Sequence, residues 1–216
     1  MATHLTPYET DMVALETGVE AQLGGSAYDF RANKSLLKQY QFRPDLAKVD
    51  CVAKVLILAL MHLPSADFLA LSYLVGKLEV EPKIQLIKKL DETLEGAKFQ
   101  EFWSVLASPE AKEVASVRGF TSSVRQFILL KLQNSHRSVS KADFQASLGM
   151  SDVEFDSFIA SSKEVQSVLQ TMMLCFSTLI LTQVDGTVVY FTPCEGNQNK
   201  VRQFEETLRF EEVGFK

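Results

Sequence analysis

The residues best suited to hold a metal or move a proton are His4, His62, His136, Cys51, Cys175 and Cys194. Structural zinc needs ligands a few residues apart, in pairs such as C-x2-4-C or H-x3-5-H. These six are scattered singly along the chain, and neither an HExxH nor a JAMM-type pattern occurs. His62 closes an apolar run and reads as a packed or capping histidine. Cys51 and Cys175 lie in apolar stretches and read as small core residues. Cys194 follows Pro193 with no titratable base near it in sequence, so nothing there lowers its thiol pKa. The adjacent acids Glu205-Glu206 and Glu211-Glu212 read as solvated helix faces, because acid–base work needs two carboxyls in contrasting environments. Phosphate-cradling loops of the GxGxxG or GxxxxGK[ST] kind and a GxSxG elbow are missing. The expectation is a chain with no catalytic residue, no metal ligand and no bound cofactor.

The composition agrees with that reading. Hydrophobic residues make up 46% of the 216 and charged residues 23%, the balance of an ordinary globular protein. A formal charge of −5 works against general affinity for nucleic acid or an anionic membrane, both of which require a positive field. An odd number of widely spaced cysteines gives no disulfide framework and fits a reducing compartment. The opening MATHLTPYETDMVALE carries acids early and lacks the basic-then-apolar order of a secretory signal, so a cytoplasmic location is expected. The run Cys51 to Leu63, interrupted by Lys54 and His62, is too short to span a bilayer and reads as a buried helix. Asn33-Lys34-Ser35 matches a glycosylation sequon by chance.

The elements that would position any site are mostly helices. Thr6-Pro7-Tyr8-Glu9 has the order of a capping box with proline in the first turn, and Gly24-Gly25 stops that helix. A second is expected from Ser26, with Leu36, Leu37 and Tyr40 on one side. A third is expected from Pro44 to about His62. Ser65 is expected to cap a short fourth helix ending at Gly76. Pro82 opens a fifth, whose Ile84, Ile87, Leu90 and Leu94 form one apolar stripe before Gly96. FQEFWSVL forms a sixth, and Ser108-Pro109 caps another. Short antiparallel helices with tight connections predict stacked pairs, a small solenoid in which each pair needs the next to bury its apolar face.

Near Gly119 the pattern changes. A helix to about Gln133 turns Phe120, Val124, Phe127 and Ile128 inward. Ser138-Val139-Ser140 reads as a short extended segment, and Lys141 to Leu148 as a helix ended by a left-handed Gly149. Ser151-Asp152-Val153-Glu154 is a second capping box, starting a helix to about Ser161. Helix, glycine turn, helix is the helix-turn-helix unit. Leu179 to Val184 and Thr187 to Phe191 alternate around Asp185-Gly186, a strong hairpin signal. This is the order of a winged helix, with an extra helical stretch predicted over Lys163 to Phe176. The tail then shows an apolar edge at Val201, Phe204 and Leu208 on an otherwise charged helix, which needs a partner surface to be stable.

A winged helix often reads DNA with its second helix. Here that helix carries Asp152, Glu154 and Asp156 and no Lys or Arg before Lys163, so phosphates would be repelled. The hairpin suits protein contact better. Its strands are short, apolar and nearly uncharged, and an open edge is a template for pairing with another chain. Either that edge is exposed or it is covered within the domain. Leu179, Leu181, Val188 and Tyr190 of the hairpin and Val201, Phe204 and Leu208 of the tail are the candidate partner-binding residues.

A helical solenoid capped by a winged helix resembles the PCI family of assembly subunits, and several segments are more specific. Ala27 to Pro44 (AYDFRANKSLLKQYQFRP), Leu63 to Phe68 (LPSADF), Ile84 to Trp103 (IQLIKKLDETLEGAKFQEFW) and Gly119 to Ile128 (GFTSSVRQFI) resemble the k-subunit family of eukaryotic translation initiation factor three. The matches hold one register from about residue 26 to 134. Lys163 to Ser177 is longer than its counterpart, and the first 25 residues and the tail diverge.

The resemblance implies a mainly α chain: a HEAT-like helical-repeat domain over 1–118, a winged helix over 119–193 and a C-terminal amphipathic helix over 194–216. It implies a scaffold subunit without enzymatic activity in a core of PCI and MPN subunits. That core associates with the 40S ribosomal subunit and supports assembly of the initiation complex. Subunit l is the expected neighbour, with c and e as further candidates, and no small-molecule substrate or membrane is implied. The same architecture serves the proteasome lid and the signalosome, and a nucleic-acid-binding winged helix is the remaining alternative. Read from the residues alone, Tyr28, Tyr40, Phe42, Phe99 and Trp103 are expected as bulky anchors between helices. Asp29 and Asn33 are expected to bond across a turn or to a loop, and Arg125 to pair with an acid between the two domains.

Overall fold

The computed structural model describes residues 7–155, 157–158, 181–185 and 188–191, with side chains described from residue 11 onward and, in the hairpin, from 188 to 191. The expected cap at Thr6, the helix over Lys163 to Phe176, Leu179, Cys175, Cys194 and the tail residues Val201, Phe204 and Leu208 lie outside these residues. The described part is mainly helical. Its helices are α1 (Pro7–Leu23), α2 (Phe30–Phe42), α3 (Val49–Met61), α4 (Asp67–Ser72), α5 (Pro82–Glu95), α6 (Phe99–Leu106), α7 (Lys112–Ala115), α8 (Phe120–Ser135) and α9 (Lys141–Leu148). Residues 152–155 are also helical. Three strands follow the same order as expected: β1 (Ser138–Ser140), β2 (Leu181–Asp185) and β3 (Val188–Phe191).

The apolar run in the sequence becomes the axis of the core. In α3, every residue from Cys51 to Leu60 except Lys54 is buried. A helix apolar on all sides must be surrounded, and α3 packs against α1, α2, α4, α5 and α8. The stripe on α5 is buried as predicted, with Ile84, Ile87 and Leu90 wholly inaccessible. Phe120, Val124, Phe127 and Ile128 of α8 are all buried. Apolar contacts run without a break from Met12 to Phe191, so one core joins the early helices to the sheet.

Several boundaries differ from expectation, each for a local reason. Helix α2 starts at Phe30 rather than Ser26, because extended Asp29 is its N-cap and accepts from the Ala32 N–H at 3.0 Å. The Asp29 N–H is itself held by the Gln22 amide oxygen at 3.1 Å. Pro44 opens a 3-10 turn over Pro44–Leu46, and extended Ala47 and Lys48 delay α3 to Val49. Ser65 does not cap α4. Its hydroxyl is buried without a hydrogen-bond partner among the described residues, and the helix starts at Asp67 behind Ala66. Helix α4 ends at Ser72, before Gly76. Ser108 precedes a 3-10 turn and makes no side-chain cap. Phe42 is not an anchor: it is 82% exposed. The buried residues of α2 are Asn33, Leu36, Leu37 and Tyr40, and residue 42 falls about 200° around the helix from residue 40, away from that face.

Ion pairs tie successive layers on the surface. Lys48 holds Glu16 at 2.6 Å, linking the start of α3 to α1. Lys83 of α5 bridges Asp50 of α3 and Glu113 of α7. Gln22 and Asn33, both buried, pair amide to amide through two hydrogen bonds of 3.1 and 3.0 Å and so fasten α1 to α2. Two buried amides satisfied by each other avoid the cost of stranded polar groups.

Candidate protein-interaction surfaces

The sheet and the turn beside it are the parts best placed for contact chemistry. The strand order is β1-β3-β2, with both pairings antiparallel. Ser138 stands opposite Tyr190, Val139 opposite Val189 and Ser140 opposite Val188. Asp185 stands opposite Val188 and Val184 opposite Val189, with an irregularity between Leu181 and Gln183. The hairpin is therefore formed as expected, but β3 is central. Its backbone is occupied on both sides, so pairing with another chain through β3 is excluded. Strand β2 is an edge: among the described residues nothing pairs with its far side.

Alternation decides what each β3 residue does. Val189 and Phe191 are buried, and Phe191 joins Phe144 and Phe155 in an edge-to-face cluster with centroids 5.7 to 5.8 Å apart. Val188 is half-buried and Tyr190 exposed, so these two candidate residues share the outward face. The backbone of Leu181 lies on the edge strand. The structure thus brings Leu181, Val188 and Tyr190 to one small sheet.

The turn between α9 and the next helix is held from below. Gly149 is left-handed, with φ 56° and ψ 44°. A Cβ built there would lie 2.7 Å from the Trp103 ring, closer than any packed atom can sit. Trp103 of α6 donates its Nε1–H to the Ser147 carbonyl at 2.8 Å. Arg125 of α8 donates to the Leu148 and Gly149 carbonyls, each at 3.1 Å, and its guanidinium lies over the Trp103 ring at 5.6 Å. It also faces Glu154 at 3.8 Å. Two carbonyls left over at a helix C-terminus are thereby satisfied by a cation, which also favours that end of the helix dipole. Arg125 does have an internal role, but its acid is Glu154, so the pair lies within 119–193 and does not bridge it to 1–118; the link to the earlier helices is the Trp103 ring. The second capping box is present as read: the Ser151 N–H donates to Glu154 at 3.2 Å, and the Glu154 N–H to Ser151 Oγ at 3.4 Å.

Of the residues first considered for chemistry, His62 and Cys51 are taken up in packing, His136 is exposed, and His4 lies outside the described residues. His62 stacks on Tyr28 with centroids 3.8 Å apart, and its Nδ1 lies 3.0 Å from the Leu58 carbonyl. The Cys51 side chain is buried, and burial pushes its thiol pKa up, away from reactivity. Among the described residues no group of His, Cys, Asp and Glu is arranged to hold a metal ion, and no helix is long and apolar enough to cross a membrane. Sequence reading missed Gln22, the partner of Asn33. It carried no local signal, because the pairing spans two helices.

The described residues are thus packed helices followed by a small antiparallel sheet, with His62 and Cys51 committed to packing. Residues 46–163 match the CSN8/PSMD8/EIF3K family, and the chain belongs to it. Eukaryotic translation initiation factor 3 subunit K of Dictyostelium discoideum is 34% identical over 140 residues, 64% of this chain and 56% of that protein. The subunit of the same name from Xenopus laevis is 37% identical over 119 residues, covering 55% of this chain and 54% of the relative. The Homo sapiens subunit is 35% identical over the same length. The chain spans about half the length of these relatives.

Proposed function

We propose that this chain is a non-catalytic scaffold subunit of translation initiation factor three, in the position of subunit k. Its work would be to support assembly of the 40S initiation complex in the cytoplasm through protein–protein contacts. The observation that carries the reading is the 32–37% identity to several k subunits, on top of the family match. In this reading residues 1–118 form a HEAT-like repeat domain, 119–193 a winged helix of the PCI kind, and 194–216 a C-terminal helix. The element order from α8 to β3 supports the winged helix. Its second helix turns exposed Asp152 and Glu154 to solvent, which supports a protein rather than a nucleic-acid partner. The β2 edge, the outward Val188 and Tyr190, and the tail residues Val201, Phe204 and Leu208 are the proposed contacts. Subunit l is the proposed neighbour, with c and e further candidates.

The family description also covers signalosome and proteasome subunits, which keeps those two machines as the alternative. Purification of the tagged chain from cells followed by mass spectrometry separates them. Initiation-factor-three subunits with 40S proteins are expected, and proteasome-lid or signalosome subunits in their place would overturn the assignment.

A further inference from the structure

Helix α2 has an unusual charge pattern for this chain. The molecule carries a formal −5, yet α2 and the residue after it hold Arg31, Lys34, Lys38 and Arg43 and no acid. None of the four forms an ion pair among the described residues, whereas Lys48, Lys54, Lys83 and Lys88 on nearby elements all do. Lys34 lies over the Phe30 ring at 5.5 Å. Asp29 and Asp45 flank the segment, and Asp29 is engaged as the α2 N-cap. Arg31, Lys34, Lys38 and Gln41 are spaced by three or four residues, which places them along one stripe of the helix.

That stripe leads into an apolar groove. A cavity of about 250 Å³ opens between the end of α2 and the segment after α4, walled by Leu37, Tyr40, Pro44, Leu74 and Leu78, with Gln41 and Lys77 also on its lining. Its volume is just below the ~300–1,000 Å³ of sites for small molecules and cofactors. It suits one or two inserted side chains. Phe42, next to the lining residue Gln41, is 82% exposed, and Tyr73, next to Leu74, is 76% exposed.

We propose that α2 and this groove bind an acidic amphipathic helix of a partner protein, its apolar residues entering the groove and its carboxylates meeting Arg31, Lys38, Arg43 and Lys77. Apolar anchors with a charged flank are how a helix is read in a groove. Cations beside exposed aromatic rings also suit single-stranded RNA. The peptide is favoured because the groove is lined mostly by apolar side chains, where a phosphate backbone gains nothing. This surface lies apart from the sheet, and its proposal stands independently of the scaffold assignment.

The test is fluorescence anisotropy on the full chain with three labelled probes. One is a helical peptide of about 18 residues, roughly five turns, with leucines on one face and glutamates on the other. The second replaces every glutamate by lysine, and the third is an oligouridylate. Saturable binding of the acidic peptide is expected, with the lysine peptide at least ~tenfold weaker because like charges would face each other, and the RNA at least ~tenfold weaker because it has no apolar face to enter the groove. Phe42→Ser and the double change Lys38→Glu/Lys77→Glu should each lower affinity for the acidic peptide ~tenfold. All three positions are exposed, so Tm should hold and a loss of binding would report the surface itself. Absence of saturable binding, equal binding of both peptides, tighter binding of the RNA, or variants that bind like the parent would each overturn the proposal.

Discussion

At the scale of single residues, Trp103, Arg125 and Gly149 form one unit. Gly149 is fixed twice, by its positive φ and by the ring that fills the space where a side chain would be. Gly149→Ala should therefore cost stability by roughly 1–3 kcal/mol, from left-handed strain and overpacking together. Thermal or denaturant unfolding measures it, and a neutral result would contradict the contact. Arg125→Lys keeps the charge but loses the planar fork that reaches two carbonyls. A loss of about 1–2 kcal/mol is expected in the same assay. Asp91 gives a pH signature. One of its oxygens is buried without a hydrogen-bond partner among the described residues. Burial first, then the carboxylates of Glu95 and Glu92, raise its pKa from 3.8 to about 7. The folded state thus keeps a proton that the unfolded state has lost, and this group reduces stability as pH rises from about 4 to 7. Asp91→Asn should raise Tm by a few degrees at pH 8 and leave it unchanged at pH 4. An equal shift at both values would show that the charge is not the cause.

At the scale of elements, what was legible in the sequence is what is decided within a few residues. The capping box Ser151-Glu154, the left-handed Gly149 and the ends of α5, α6 and α9 all depend on spacings of three or four positions, and all are found as read. Ser140 of α9 is a working cap, accepting from the Asp143 N–H at 3.1 Å, and Ser140→Ala should cost about 1 kcal/mol. What was not legible depends on distant partners. The start of α2 is set by Gln22 holding the Asp29 N–H, and the exposure of Phe42 by which stripe of α2 meets α1 and α3. The hairpin could be read from Asp185-Gly186. That β3 rather than β2 lies between two strands could not, because β1 is nearly fifty residues upstream and its pairing is a tertiary event. This pairing leaves β1 and β2 as the two edges of the sheet, with nothing paired to the far side of either among the described residues. The candidate residues therefore divide: Val188 and Tyr190 can act only through their side chains, and Leu181 also through the edge backbone.

At the scale of the whole molecule, the described helices and sheet share a single core. One continuous apolar core runs from α1 to β3, and Trp103, carried on α6, reaches across to seat the turn after α9. Loss of one surface should weaken assembly without unfolding the chain. Deletion of residues 195–216 should release the protein from its complex while leaving its helical signal and Tm in place, as measured by co-purification and circular dichroism. Retention at full strength would remove the tail from the contact set.

The most direct measurement is native mass spectrometry of the complex that the endogenous, tagged chain forms. This chain is expected in a particle containing other subunits of initiation factor three. A chain recovered solely as a free monomer, or within a particle containing none of those subunits, would contradict it.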